Sequence, residues 1–218
     1  MHRVADAYGR LLAHHGPQSW WPAETRFEVI VGALLMQQTA WGNVEAAIRN
    51  LRHAGLLDVR RLAAASLPEI RRCVRVAGLY RTKPARLRTF CRHLLDRADG
   101  DLDAYFARPT AVVREDLLAQ RGVGPETADS ILLYAGGHPV FVVDAYTVRI
   151  ASRLGIVRGT GYDRVAGTFT RGLPSDPAVY RECHALLVAH AKGFCRPRPR
   201  CDPCPLLGIC DHGRRRKG

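Results

Sequence analysis

Residues 117–137 read LLAQRGVGPETADSILLYAGG: a helical run, a Gly122-Val123-Gly124 turn, and a second helical run. In the second run Ala128, Ile131, Leu132 and Ala135 recur at α-helical spacing, so their side chains share one face. Pro125 suits the first position of that helix, where its missing N–H costs nothing. The two glycines permit unusual dihedrals and let another backbone approach closely. A helix start with several free N–H groups is a ready phosphate site, and Thr127 lies in its first turn. Alone, G-V-G is a weak pattern, because any tight helix–helix turn can look like it.

The same period recurs outward in both directions. Phe27, Ile30, Val31, Leu34 and Leu35 form one apolar face, and Val44, Ala47, Ile48 and Leu51 another. Further faces are Ile70, Cys73, Val74 and Ala77, then Leu87, Phe90, Cys91, Leu94 and Leu95, and finally Val179, Cys183, Leu186, Leu187 and His190. Short connections marked by Gly, Pro or Asp separate them. The one extended-looking run, PVFVV at 139–143, is too isolated to build a sheet. The expected fold class is all-α.

A chain of 218 residues holds one large domain or two small ones. Its net charge of +13 points to a polyanionic partner, most simply nucleic acid. Of its 33 basic residues only Lys83, Lys192 and Lys217 are lysines, which limits the chemistry an amine can perform. No apolar stretch approaches the ~20 residues of a membrane span, and MHRVADAYGRLLAHHG lacks the apolar centre of a signal peptide. A soluble, cytoplasmic protein is expected. In that reducing compartment seven cysteines read as thiols or metal ligands rather than disulfides.

Four of them, Cys195, Cys201, Cys204 and Cys210, fall in CRPRPRCDPCPLLGIC with spacing C-x5-C-x2-C-x5-C. That is a strong metal signal. Zinc and an iron–sulfur cluster each take four thiolates, and the spacing does not choose between them. The segment VVDAYTVRI (142–150) sets a single carboxylate, Asp144, after the apolar run VFVV. An Asp there caps the helix that follows, or it is a buried functional carboxylate, or it is both.

Taken together, GVGPETA, VDAYTVRIASRLG some twenty residues later, and the four clustered cysteines resemble the endonuclease III superfamily of helix-hairpin-helix DNA glycosylases. VGALLMQQT is similar to the family's first core helix and GLYRTK to its glycine–leucine–tyrosine turn. The resemblance runs from about Phe27 to Cys210. It implies two helical domains: a six-helix barrel over 23–135 with the hairpin at about 112–135, and residues 1–22 joined with 136–218 in a domain that carries a 4Fe–4S cluster. DNA would cross the cleft between them. It also implies that Asp144 is the catalytic carboxylate, orienting or deprotonating water and stabilising positive charge on the sugar. Gly122, Val123, Gly124 and Thr127 would contact the DNA backbone. Gln37 would fill the gap left by a flipped base, Leu79 would be the wedge, and the basic loop with Arg196, Arg198 and Arg200 would be shaped by the cluster.

Three departures narrow the resemblance. Members that also cut the strand carry a lysine where this chain has Glu126, and their covalent chemistry needs an amine. None of the three lysines matches that position, so a monofunctional enzyme is expected; were an amine at work after all, Lys83 or Lys192 would supply it. The first cysteine gap is five residues, one short of the family's usual six. Finally, Trp20, Trp21 and Pro22 precede the first barrel helix and Trp41 follows the QQT segment, which is similar to the 3-methyladenine glycosylase branch. There these residues would form an aromatic pocket that gains a cation–π contribution of ~0.5–2 kcal/mol from a charged alkylated purine; otherwise they are core aromatics. The expected partner is duplex DNA bearing a damaged base, bound by a monomer. Two other functions stay open: an endonuclease III-type enzyme for oxidised pyrimidines with weak strand cleavage, and a non-catalytic helix-hairpin-helix DNA-binding protein.

Overall fold

A computed structural model of the chain describes residues 3–18, 21 and 23–215. Its helices are α1 (Arg3–His15), α2 (Arg26–Leu35), α3 (Trp41–His53), α4 (Val59–Ala64), α5 (Leu67–Val74), α6 (Lys83–Ala98), α7 (Leu102–Phe106), α8 (Thr110–Leu118), α9 (Pro125–Ser130), α10 (Ala145–Leu154), α11 (Tyr162–Gly172), α12 (Pro177–Gly193) and α13 (Asp211–Arg215). The architecture is all-α, with no strand among the described residues. None of the described helices is long and apolar enough to cross a membrane. The chain divides into two compact units, residues 23–137 and residues 1–22 together with 138–218.

The unit 23–137 is built around α2. Every residue from Phe27 to Leu35 is buried, so this helix has no solvent face and must be surrounded. It packs on α3, on α6, on α9 and on the turn that extends α9. Side chains start the helices around it. Thr25 accepts from the Glu28 N–H, Asp58 from Arg61 N–H, and Ser66 with Glu69 forms a reciprocal capping box before α5. Most of the apolar faces read from the sequence are buried; Leu95 is half-buried at the margin.

The second helix of the hairpin differs from the expected uniform α-helix. It is α-helical only to Ser130 and then widens into a π-helical turn, Ile131–Gly136, closed by Gly137 in the left-handed region. The Ser130 hydroxyl donates to the Glu126 carbonyl at 2.7 Å. Such back-bonding competes with the ordinary helical ladder and accompanies bends of this kind.

In the other unit α12 packs on α1 and α10, and α13 closes over α10. Phe141 stacks on Phe169 at 4.4 Å and meets Tyr180 edge-on. The run 139–143 is extended without a strand partner, and its Phe141, Val142 and Val143 are buried. It delivers the chain to Asp144 at the start of α10.

Candidate functional site

Asp144 is the N-cap of α10. Its Oδ1 accepts from the Thr147 N–H at 2.7 Å and from the Thr147 hydroxyl at 2.8 Å. The other oxygen, Oδ2, faces Nε2 of His184 on α12 at 3.7 Å, an ion-pair separation longer than a hydrogen bond. The carboxylate side chain is only 15% exposed. Burial pushes its pKa up, yet His184 and then the two Thr147 donors outweigh that, and the net direction is below the ordinary 3.8. This is an ionised carboxylate held in a largely dry wall. His184 was not singled out from the sequence.

The cysteines lie in the same unit. Cys195, Cys201, Cys204 and Cys210 line one cavity together with Ile150, Arg153 and His190. No group of three or more His, Cys, Asp or Glu side chains among the described residues is gathered as it would be round a single metal ion. Donors stand beside two of the four sulfurs, whereas burial pushes the Cys204 thiol up to about 11. Arg153 Nη1 donates to Cys195 Sγ at 3.3 Å and the Gly213 N–H to Cys210 Sγ at 3.4 Å. Arg153 also donates to the Arg196 and Pro197 carbonyls, and Arg149 to the Cys195 carbonyl. Both arginines belong to α10, so the helix capped by Asp144 is also the helix that holds the cysteine loop. Arg196, Arg198 and Arg200 are exposed on that loop.

The unit 23–137 carries the hairpin. Gly122 has φ +85° and Val123 is buried with its N–H on the Gln120 carbonyl. Gly124 is extended, with open space where a Cβ would stand, and it precedes Pro125 at the first position of α9. Glu126 is exposed. Beneath, Arg114 makes a two-pronged ion pair with the buried Asp129, at 2.7 and 3.1 Å, joining α8 to α9.

Gln37 lies against this hairpin. Its amide donates to the Gly122 carbonyl at 2.6 Å and approaches the Thr127 hydroxyl at 3.5 Å, while Arg86 Nη1 donates to its Oε1 at 2.9 Å. Leu79 takes φ +46°, a conformation unusual outside glycine, and its side chain is 41% exposed. The turn is pinned from below: Lys83, 1% exposed, donates from Nζ to the Leu35 carbonyl at 2.8 Å and the Ala77 carbonyl at 2.7 Å. Burial, then Arg86, lowers the pKa of that amine. Lys83 is therefore a buried strut with two carbonyl partners.

Among the tryptophans, Trp41 opens α3 and is half-buried. Trp21, also half-buried, has φ +78°. The two fall in different units. Trp20 and Pro22 lie outside the described residues.

Residues 31–175 match the model of the HhH-GPD superfamily base excision DNA repair protein. The chain belongs to that superfamily. A provisionally named DNA repair glycosylase of Methanocaldococcus jannaschii is 43% identical over 209 residues, covering 95% of each chain. Endonuclease III of Escherichia coli K12 is 28% identical over 191 residues, 85% of this chain and 83% of its own. Among solved structures, the H. pylori 3-methyladenine DNA glycosylase bound to 1,N6-ethenoadenine superposes with a TM-score of 0.77 at 26% identity, over 88% of this chain and 96% of that one. A non-covalent endonuclease III–DNA complex gives 0.83 at 23% identity, over 99% and 97%, and shows the shared fold. This member of the HhH-GPD superfamily is thus a DNA repair glycosylase in class, with endonuclease III among its relatives.

Proposed function

We propose that this HhH-GPD protein is a monofunctional glycosylase that removes an alkylated purine, such as 3-methyladenine, from duplex DNA. The observation that carries the reading is Asp144: one oxygen caps α10, and the second is left ionised and unspent in a dry wall. Water adds to the sugar C1′ as the bond to the base nitrogen breaks. The bonding electrons leave with the base, and the proton lost by the water passes to Oδ2 and then to solvent. The negative charge stabilises the cationic sugar along the way. Glu126 stands where a strand-cutting relative needs an amine, and Lys83 is engaged elsewhere. The expected product is an intact abasic site.

The alkylpurine assignment is supported by the Trp-Trp-Pro sequence ahead of α2 and by the likeness to the H. pylori enzyme at 26% identity. In this reading the Gly122–Thr127 segment holds a DNA phosphate at the start of α9, Leu79 is the wedge, and Gln37 leaves its seat on the hairpin to fill the gap. Cys195, Cys201, Cys204 and Cys210 hold a 4Fe–4S cluster. The four thiols line one cavity, and the resemblance to endonuclease III favours the cluster over zinc. When bound, the cluster supplies a rigid fold for the basic loop.

The test is base release from duplexes bearing 3-methyladenine, 7-methylguanine, hypoxanthine, thymine glycol or uracil, with and without alkali. Release of the alkylated purines, with strand breaks only after alkali, is expected. Release of thymine glycol with direct strand breaks would instead assign the oxidised-pyrimidine activity.

A further inference from the structure

The proposed catalytic carboxylate is held at Oδ1 and meets a second side chain at Oδ2. Oδ1 accepts from both Thr147 donors; the carboxyl group is planar, so rotation about Cβ–Cγ moves both oxygens together and a contact at either one restrains the other. The contact at Oδ2 therefore adds to the Thr147 bonds in setting where that oxygen points. The side chain that meets it is His184, from a helix forty residues downstream that packs directly on α10. Its side chain is 9% exposed, on a stretch of α12 otherwise filled by Cys183, Ala185, Leu186 and Leu187. A leucine would fill that space without the cost of burying an imidazole.

We propose that His184 is a positioning residue for base excision, its Nε2 edge holding Oδ2 of Asp144 in the orientation that the reaction requires. The proposal rests on the reading of Asp144 given above. With a proton on Nε2 the imidazole, 3.7 Å away, attracts the carboxylate without a full hydrogen bond, so Oδ2 is steered and still available to water. In a wall this dry the attraction is stronger than in bulk solvent. The effect is orientational: His184 does not touch DNA in this scheme, and its loss changes the rate and not the binding.

The test uses the full chain, with single-turnover base release and the Kd for a duplex containing a tetrahydrofuran abasic analogue. His184→Gln sets an amide near the place of Nε2, whereas His184→Asn sets one near Nδ1, so the two are matched in polarity and differ in reach. His184→Gln should keep the rate within about fivefold of native, and His184→Asn should lose about 10- to 100-fold, the scale of a misplaced catalytic group. Both should bind the analogue within about twofold of native. Equal rates in the two variants, at native level or equally depressed, would overturn the proposal, as would a loss that appears in Kd alone. Asp144→Asn separates the two levels of the argument. If that variant releases base at the native rate, the reading of Asp144 falls. If it is inactive while both His184 variants match the native rate, only the role of His184 falls.

Discussion

The two glycines of the hairpin carry different loads, and replacing each by alanine should show it. Gly122 sits at φ +85°, and a Cβ there would stand 2.7 Å from Nε and Cζ of Arg86 and 3.0 Å from its Cδ. Forcing an alanine into the left-handed region costs ~1–2 kcal/mol. Arg86 must also swing away and release the Gln37 oxygen that it holds at 2.9 Å. For a partly solvated bond to a charged group that adds about 1–2 kcal/mol, the lower part of its usual range. Gly122→Ala should therefore lose ~2–4 kcal/mol in all. In a chain of this length each kcal/mol lowers Tm by about 2–4 °C, so calorimetry should read a fall of about 5–15 °C. Gly124 has φ −97° and nothing within 4 Å of a built Cβ. Gly124→Ala should leave stability within about 0.5 kcal/mol of native while weakening binding to every duplex alike, if the neighbour there is a phosphate as proposed. Arg86→Ala supplies the control. In that background the cost of Gly122→Ala should shrink to the backbone share of ~1–2 kcal/mol, leaving a coupling of similar size. Equal costs in the two backgrounds would refute the collision, and equal stability losses at the two glycines would refute the division of labour.

Other outcomes follow from the remaining side chains. Lys83→Met strands the Leu35 and Ala77 carbonyls, so urea unfolding should show a loss of about 1–3 kcal/mol, and borohydride should trap no covalent DNA adduct with the native protein; an adduct would put an amine back in the mechanism. The pKa of Asp144 is depressed on folding, so its contribution to stability is complete above the unfolded value of about 3.9 and is lost as pH falls through the lower folded value. Base release should accordingly show no acid limb from Asp144 between about pH 5 and 8, whereas an apparent pKa near 6 that vanishes in Asp144→Asn would contradict the direction. Purified protein should be brown, with about four iron and four sulfide per chain; a colourless preparation with stoichiometric zinc and no sulfide would overturn the cluster. Because Arg149 and Arg153 join α10 to the cysteine loop, Cys204→Ala should also slow base release.

The sequence displayed what repeats or what needs a special residue type. Apolar side chains at helical spacing announced α2, α3 and α6, since burying a face is the reason those helices form. Gly122 and Pro125 marked the hairpin because only such residues meet its backbone demands easily. What stayed hidden depends on pairings between distant helices. His184 is one imidazole in an ordinary helical run, and its meaning comes from α12 lying against α10. Arg86 looks like any of the chain's many arginines until its guanidinium is found against Gly122 and Gln37. Lys83 stands in the sequence only as a fallback amine beside Lys192, and its structural role shows once its two carbonyl partners are seen. The π turn after Ser130 has no signal in apolar spacing, because Ala128, Ile131, Leu132 and Ala135 satisfy the α-helical period.

In the proposed reading capping and catalysis at Asp144 draw on different oxygens, and that separation can be tested by a substitution that keeps one and deletes the other. A cap needs a single acceptor for the N–H groups of the first turn, and Ser, Thr, Asn and Asp serve about equally well. Asp144 meets that need with Oδ1 alone. Serine at this position would still receive the Thr147 N–H, and it would lack both the second oxygen and the charge. If Asp144 were merely a cap, Asp144→Ser would be nearly silent. If the second oxygen performs the chemistry, the same variant should melt within a few degrees of native, bind the abasic analogue normally, and release no base above background. Asp144→Ala completes the comparison: it should lose a further ~1 kcal/mol of stability, the worth of the cap, with no further loss of rate. Detectable base release by Asp144→Ser near the native rate would mean that the carboxylate is an anchor for α10 and that the catalytic group lies elsewhere in the chain.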